Sequence, residues 1–225
     1  LLYIYEKCVN TMNDGLEQQK FWMSDFGNNY VDRSQNLDLI NKTYKNLTGT
    51  TFNQIYESFF SNLDKNSKII ELACNVGLKL SILKQLGFKN LYGVEINKKA
   101  YEVAKQTNPD ITFFNSSIED FNPNGEKFDI VCVSGILVHV HPEHLNSIIH
   151  KIISLSDKFI FGLENYSDDL TEVVYRGHSN KLWKQNFPNL YRELYPNIKT
   201  IKEQKILHNQ ESLVDIAYFF EKETL

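Results

Sequence analysis

The sequence has few cysteines and no long apolar run. Its three cysteines, Cys8, Cys74 and Cys132, lie far apart and form no C-x-x-C pair, so neither a disulfide framework nor a metal site is predicted. No apolar run reaches the roughly 20 residues that a membrane-spanning helix needs. The opening residues LLYIYEKCVN lack the basic segment and small-residue cleavage site of a secretory leader. These absences predict a cytoplasmic protein in a reducing compartment.

An excess of basic residues is also absent. The chain carries 24 lysines and arginines against 28 acidic residues, a formal net charge of −4 at pH 7. Such a balance gives no broad electrostatic attraction to nucleic acid or to an anionic membrane. Ten glycines and five prolines in 225 residues exclude collagen-like and low-complexity chains. We therefore expect a globular protein whose partner is a small molecule.

Short apolar segments alternate with amphipathic ones from Lys68 onward. KIIELA, NLYGVEI, ITFFN, KFDIVCVSG and DKFIFGLE predict five parallel strands, and the segments between them predict helices. Two further β-like segments, TIKEQKILH and SLVDIAYFFEK, predict an antiparallel hairpin at the end of the chain. This is the strand inventory of a seven-stranded methyltransferase-type α/β sheet.

Helical spacing of apolar residues precedes the first predicted strand. Leu16, Trp22 and Phe26 begin this pattern, which continues to Phe60. We predict a helical cap over residues 1–62 and an α/β core over residues 63–225. An insertion at about 165–195 is expected to carry substrate specificity. The whole is expected to form one structural domain.

The turn after the first strand is the expected place for a ligand, because doubly wound sheets bind ligands beyond the carboxyl ends of their strands. It reads ELACNVG, with Gly77 as its one glycine, and so lacks the G-x-G-x-x-G of a dinucleotide site. Small residues at Ala73 and Asn75 permit close approach, and the Glu71 carboxylate suits a cationic amino acid moiety. The turn favours S-adenosylmethionine over NAD. A plain tight turn with a surface acid is the alternative.

A second carboxylate follows at the end of the next strand. Glu95 lies 24 residues after Glu71, where a carboxylate can accept both hydroxyls of an adenosine ribose. Alternatively, Glu95 caps the helix that begins near Asn97. Ser117 and Ile118, after the third strand, are predicted to lie against adenine, although a serine-rich turn explains them equally well. The predicted cofactor contacts also include Ile96 and Ser134.

Two histidines, His139 and His141, follow the fourth strand. A histidine with a pKa near 6.5 can remove a proton from a hydroxyl or an ammonium group, so His139 is a candidate general base. The alternative is a histidine whose hydrogen bonds are satisfied within the core or a loop. His144 and His150 lie along the next predicted helix and add no metal-ligand cluster.

Three blocks resemble the class I S-adenosylmethionine-dependent methyltransferases, and more narrowly the small methyltransferases associated with pseudaminic acid biosynthesis. The blocks are FWMSDFGNNYVDR at 21–33, ELACNVGLKL at 71–80 and LENYSDDLTEVVYRGHSNKLWKQNF at 163–187. The resemblance runs nearly from end to end. It implies a Rossmann-like sheet, S-adenosylmethionine as cofactor with S-adenosylhomocysteine as product, and an acceptor sugar of a surface glycan.

The resemblance also implies roles for residues in the first block. Tyr30 and Arg33 are expected to contact the cofactor, with Arg33 pairing with the methionine carboxylate. Trp22 and Phe26 are expected to form a wall of the site and to contact the substrate.

The late block is expected to line the acceptor pocket. The resemblance places Tyr166, Tyr175 and Arg176 against the substrate and makes His178 a second candidate catalytic residue. The residues alone leave another possibility open, a cluster of cations and aromatic rings that fixes this long segment to the rest of the protein.

Two residues depart from the pattern of the family. Ala73 replaces the usual glycine, which the backbone accepts if the φ angle is negative. Lys79 stands where asparagine is commoner, and a cation near a sulfonium is unfavourable unless the side chain points to solvent.

These observations predict an S-adenosylmethionine-dependent methyltransferase that acts on an oxygen or nitrogen atom of a small molecule. The expected acceptor is a sugar or a sugar-nucleotide precursor of a surface glycan. Three alternatives remain open at this point: a methyltransferase for amines or other metabolites, a catalytically inert cofactor-binding module, and an NAD(P)-dependent oxidoreductase. The last lacks both a glycine-rich turn and a recognisable hydride-transfer pair.

Overall fold

The computed structural model of the protein describes residues 15–33, 35–210 and 213–223. Cys8 and the first fourteen residues of the predicted cap lie outside these ranges. Before the sheet, the described residues form four helices: 15–23 (α1), Asp25–Arg33 (α2), Leu37–Thr48 (α3) and Phe52–Phe60 (α4). The helical character predicted for this region is confirmed. The division at residue 62 stays a prediction.

Side-chain caps explain where two of these helices begin. Asn36 accepts a hydrogen bond from the backbone N–H of Leu39 and starts α3. Thr51 and Gln54 form a capping box that starts α4. Gly49, with φ 76°, ends α3 in the left-handed conformation that glycine adopts most readily.

The remaining elements alternate along the chain. The strands are β1 (Lys68–Leu72), β2 (Asn90–Glu95), β3 (Thr112–Asn115), β4 (Phe128–Ser134), β5 (Ser156–Tyr166), β6 (Thr171–Glu172), β7 (Trp183–Lys184), β8 (Lys199–Leu207) and β9 (Val214–Glu221). The later helices are α5 (Leu78–Gln85), α6 (Lys98–Thr107), α7 (Pro142–Leu155) and α8 (Phe187–Leu194).

Seven of the strands form one sheet in the order β3-β2-β1-β4-β5-β9-β8. The first five in this order are parallel, and β9 and β8 are antiparallel to their neighbours. The predicted seven-stranded Rossmann-like sheet with its C-terminal hairpin is therefore confirmed. The short strands β6 and β7 pair with each other in the segment that precedes α8.

The central strands are apolar on both faces because helices cover both faces of the sheet. Side chains of a strand alternate between faces, so Ile70 packs in one core with α7 and α8 while Ile69 packs in the other with α4 and α5. This layering leaves the carboxyl ends of β1, β2, β4 and β5 along one edge. The Asn97 side chain donates to the Trp22 carbonyl at 2.9 Å and thereby ties the α1 end to that edge.

Gly162 on β5 pairs with Tyr218 on β9, and the absence of a side chain at Gly162 leaves room for the tyrosine ring. A Cβ atom at this position would lie 1.9 Å from Cζ of the fully buried Tyr218. We expect Gly162→Ala to lower the free energy of unfolding by about 3 kcal/mol, because the ring has no room to move. Urea denaturation measures the change.

Gly49→Ala is the control for a glycine lost without a steric clash. Nothing lies within 4 Å of a Cβ at Gly49, but its φ angle is 76°, so only the backbone conformation opposes the substitution, at about 1 kcal/mol. Equal losses in the two variants would show that the contact with Tyr218 is not what requires glycine at position 162.

Candidate functional site

A cavity of about 330 Å³ lies at the carboxyl edge of the sheet. Its wall combines strand ends, the turns that follow them, and the helices α1 and α2. The structure brings many of the predicted site residues together on this wall: Trp22, Tyr30, Glu71, Ala73, Asn75, Glu95, Ile96, Ser117, Ile118, Ser134 and His139. The strand-end residues were predictable because parallel strands end at a common edge.

Glu71 is a buried carboxylate on the cavity wall. Only 3% of the residue is exposed, and its Oε2 atom has no hydrogen-bond partner in the described part of the chain. Burial raises the pKa of this carboxyl to about 8, and the nearby Lys79 opposes that rise. An unpaired buried carboxylate oxygen is costly unless a donor reaches it. The position therefore fits an ammonium group.

Glu95 connects the first two turns of the sheet edge. Its Oε2 accepts from the backbone N–H of Asn75 at 2.8 Å, and its Oε1 accepts from that of Asn97 at 2.7 Å. Asn97, not Glu95, caps α6 with its side chain. Burial raises the pKa of Glu95, and these backbone hydrogen bonds oppose the rise. A carboxylate has about four acceptor positions, so Glu95 retains capacity for ribose hydroxyls.

The turn after β1 is more strained than expected. Ala73 has φ 53° and Asn75 has φ 49°, so both adopt the left-handed conformation that favours glycine. The condition set for Ala73, a negative φ, is not met. Gly77 has φ 76°, precedes α5 and does not line the cavity. Two non-glycine residues of this turn, both on the cavity wall, therefore adopt a costly conformation.

The condition stated for Lys79, a side chain that points to solvent, is not met. Lys79 lines the cavity, with its Nζ 4.1 Å from the centre of the Phe52 ring. Burial lowers the pKa of Lys79, and the carboxylate of Glu71 opposes that effect. Arg33, by contrast, ends α2 outside the cavity wall and lies over the ring of Tyr30. Among the described residues, Lys79 is the one lysine or arginine of that wall.

His139 lies beside Trp22, in the short helical turn that follows β4. Its Nδ1 is 2.7 Å from the carbonyl oxygen of Lys181. Because a carbonyl only accepts, Nδ1 carries the hydrogen, and Nε2 is left as an acceptor. Burial lowers the pKa of His139 to about 4. The imidazole is thus neutral at physiological pH and can accept a hydrogen bond or a proton.

Glu164 on β5 is a residue that sequence reasoning missed. It is 1% exposed, and its carboxylate accepts from the backbone N–H groups of Ile136, Leu137 and Val138 at 3.0 to 3.4 Å. It thereby holds the turn that carries His139. Burial raises the pKa of Glu164 to about 7 against these hydrogen bonds. An acid at the end of a buried apolar strand was the available signal.

The late block, residues 163–187, packs on the helices of the cap, but none of its residues lines the cavity. The ring of Tyr175 lies 4.9 Å from that of His139, and the exposed His178 packs against Phe26 at 5.3 Å. Arg176 is exposed and has φ 50°. This arrangement corresponds to the alternative of an aromatic cluster that fixes the segment. The substrate contacts of Phe26, Tyr175, Arg176 and His178 stay predictions.

Tyr166 is placed differently from its predicted role. It is buried at the end of β5, donates to the carboxylate of Asp168, and lies under Nζ of Lys205 at 3.8 Å. It does not line the cavity, because its side chain lies on the face of the sheet that packs in the core.

No group of three His, Cys, Asp or Glu side chains in the described ranges is arranged to hold a metal ion. No helix in the same ranges has the length and apolar character needed to cross a bilayer. Cys74 and Cys132 are buried and unpaired.

Comparisons with known proteins agree with this geometry. Residues 69–157 match a family model described as a methyltransferase domain. No curated protein sequence matches the chain. The match confirms the prediction of a methyltransferase domain in these residues.

Solved structures show the same fold at low sequence identity. Magnesium protoporphyrin IX methyltransferase from Synechocystis PCC 6803, with bound SAH, is 12% identical over 93% of this chain and 100% of its own, with a TM-score of 0.69. The 1,6-didemethyltoxoflavin-N1-methyltransferase of Burkholderia thailandensis is 12% identical over 76% of each chain, with a TM-score of 0.58. The cyclase SpnF is 7% identical over 77% of this chain and 80% of its own, with a TM-score of 0.61. Such likeness establishes the fold and not the acceptor.

Glu164 generates a prediction about stability and pH. Its pKa in the folded protein, about 7, lies above its ordinary value of 4.5, so the folded state binds the proton more tightly than the unfolded state. The resulting stabilisation is complete below pH 4.5 and is lost as pH rises through 7, a change of about 3 kcal/mol. We expect Glu164→Gln to remove that part of the pH dependence of the unfolding free energy.

Urea denaturation from pH 4.5 to pH 8 measures this difference. Glu126→Gln removes an acidic charge whose exposed carboxylate pairs with Lys68 on the surface, and it serves as the matched control. Parallel profiles for wild type and Glu164→Gln would contradict the assignment.

Proposed function

We propose that this chain transfers the methyl group of S-adenosylmethionine to an oxygen or nitrogen atom of a small molecule bound in the cavity. The observation that carries the proposal is the pair of buried carboxylates, Glu71 and Glu95, at the ends of neighbouring strands on one cavity wall. One has an oxygen without a partner in the described chain, and the other retains acceptor capacity.

The residues on the wall match the parts of this cofactor. Glu95 accepts the ribose hydroxyls, and Ser117 with Ile118 lies against the adenine ring. Glu71 accepts the ammonium of the methionine moiety. Lys79 takes its carboxylate in place of Arg33, because Lys79 lines the cavity beside Glu71 and Arg33 does not. Glu71 and Lys79 thus form a buried acid and base that complement a zwitterion.

When bound, the cofactor supplies an electrophilic methyl group on a sulfonium. The chain has to position the acceptor atom and remove its proton, and positioning is the larger of these effects in transfer reactions. Trp22 and His139 line the cavity, and the neutral imidazole of His139 keeps Nε2 as a hydrogen-bond acceptor. A positioned general base contributes about 10²- to 10⁴-fold to the rate, and the lowered pKa of His139 puts its contribution at the lower end of that range.

Titration calorimetry of S-adenosylmethionine and S-adenosylhomocysteine tests cofactor binding. We expect micromolar binding to the wild-type protein and a loss of at least about tenfold in Glu95→Ala, because hydrogen bonds to a charged group are removed. Glu126→Ala, far from the cavity wall, is the control. An absence of binding by either ligand at millimolar concentration would overturn the proposal.

The same titrations carry a pH test of Glu71. Its carboxyl, with a pKa of about 8 in the free protein, has to lose its proton to pair with an ammonium group. Binding therefore releases a proton, and affinity rises with pH by up to about tenfold per unit between pH 6 and pH 8. Glu71→Gln is expected to flatten this dependence.

For the acceptor, we propose a sugar or sugar-nucleotide precursor of a surface glycan, as a cytoplasmic step. The narrower resemblance in the late block supports this. Apart from Lys79, the cavity wall bears no lysine or arginine among the described residues.

Formation of S-adenosylhomocysteine with a panel of free sugars, sugar nucleotides and simple amines tests the acceptor. We expect turnover of sugars, lowered about 10²-fold in His139→Gln with unchanged S-adenosylhomocysteine affinity. His150→Gln is the control, since His150 bonds to Tyr195 away from the cavity. Methylation of amines alone would exclude the sugar, and cofactor binding without turnover would favour an inert module.

A further inference from the structure

Two successive residues of the late block accept hydrogen bonds, through their backbone carbonyls, from two side chains of the cavity wall. The Gln18 amide Nε2 donates to the Asn180 carbonyl at 2.8 Å. The Nδ1 of His139 donates to the next carbonyl, that of Lys181, at 2.7 Å. Because both partners are carbonyls, which only accept, the orientation of the amide and the tautomer of the imidazole are fixed.

This arrangement leaves two acceptor atoms, Gln18 Oε1 and His139 Nε2. Gln18 is 8% exposed, and its Oε1 has no partner in the part of the chain that the structure describes. Both residues line the same cavity. A buried acceptor without a partner is costly, so the site as built favours a ligand that brings donors.

We propose that Gln18 and His139 form a two-acceptor subsite that selects an uncharged ring of the acceptor molecule with two neighbouring hydroxyl groups. This rests on the proposed function, in which His139 faces the hydroxyl to be methylated. Gln18 accepts from the second hydroxyl and acts as a specificity residue. A phosphate or carboxylate at this place would meet two acceptors and be repelled, so any charged part of the substrate lies elsewhere.

The surroundings of the subsite fit a hydroxylated ring. The Trp22 ring lies 4.8 Å from the His139 ring at an interplanar angle of 69°. The Trp22 ring offers an apolar surface to the C–H face of a saturated ring. Gln18 Oε1 and His139 Nε2 accept hydrogen bonds from hydroxyl groups at the edge of that saturated ring. A merely structural role for Gln18, as a link between α1 and the late block, requires no such preference.

Ligand-observed NMR with simple ring alcohols tests the subsite without turnover. The probes are cis-cyclohexane-1,2-diol, with two donors, and cyclohexanol, with one, each titrated into wild-type protein saturated with S-adenosylhomocysteine. We expect the diol to bind about fivefold more tightly, the effect of one added neutral hydrogen bond. Gln18→Met, similar in length and without an acceptor oxygen, is expected to abolish the preference.

Controls separate the possible results. Gln106→Met makes the same substitution on the exposed part of α6 and is expected to keep the preference for the diol. A wild-type protein that binds S-adenosylhomocysteine and shows no preference for the diol, or binds neither probe, overturns the two-acceptor subsite and leaves the proposed function standing. A preference that persists in Gln18→Met overturns it as well. Failure to bind S-adenosylhomocysteine at all overturns the proposed function, and the subsite with it.

Discussion

The burial of carboxylates at one edge of the sheet is the constraint on which the site depends. Glu71, Glu95 and Glu164 end or nearly end three strands, and each is less than a tenth exposed. Removing a carboxylate from water is unfavourable unless hydrogen bonds or charges replace the water. Backbone N–H groups of the following turns supply such bonds to Glu95 and Glu164, so these acids determine how the turns are folded.

Glu71 differs from the other two in how its burial is compensated. The largest effect that opposes the rise of its pKa is the charge of Lys79, and one of its oxygens lacks a partner within the described chain. The turn beside it holds Ala73 and Asn75 in left-handed conformations. Such costs persist only where the surrounding structure enforces them. The free site is thus destabilised locally, and under the proposed function the zwitterionic end of the cofactor recovers part of that free energy.

The sequence was sufficient to predict the architecture and the acidic residues at the strand ends. Alternating apolar segments define the sheet, and a parallel sheet brings Glu71 and Glu95 to one edge whatever the details of packing. The sequence was not sufficient to predict where the Lys79 side chain points, because that direction depends on the position of Phe52 in the cap. It was also not sufficient for Glu164 and Gln18, because their roles are defined by backbone groups 26 to 28 and 162 residues away along the chain.

The late block acts on the cavity mainly through its backbone. Its charged and aromatic side chains were the basis for the predicted substrate contacts. In the structure, Arg176 and His178 are exposed, and none of Tyr175, Arg176 and His178 lines the cavity. The carbonyls of Asn180 and Lys181, which no residue-type pattern reveals, set the hydrogen-bonding state of Gln18 and His139. A change of side chain in this segment that leaves its path intact therefore changes the site less than a change of its length, since length alone moves both carbonyls.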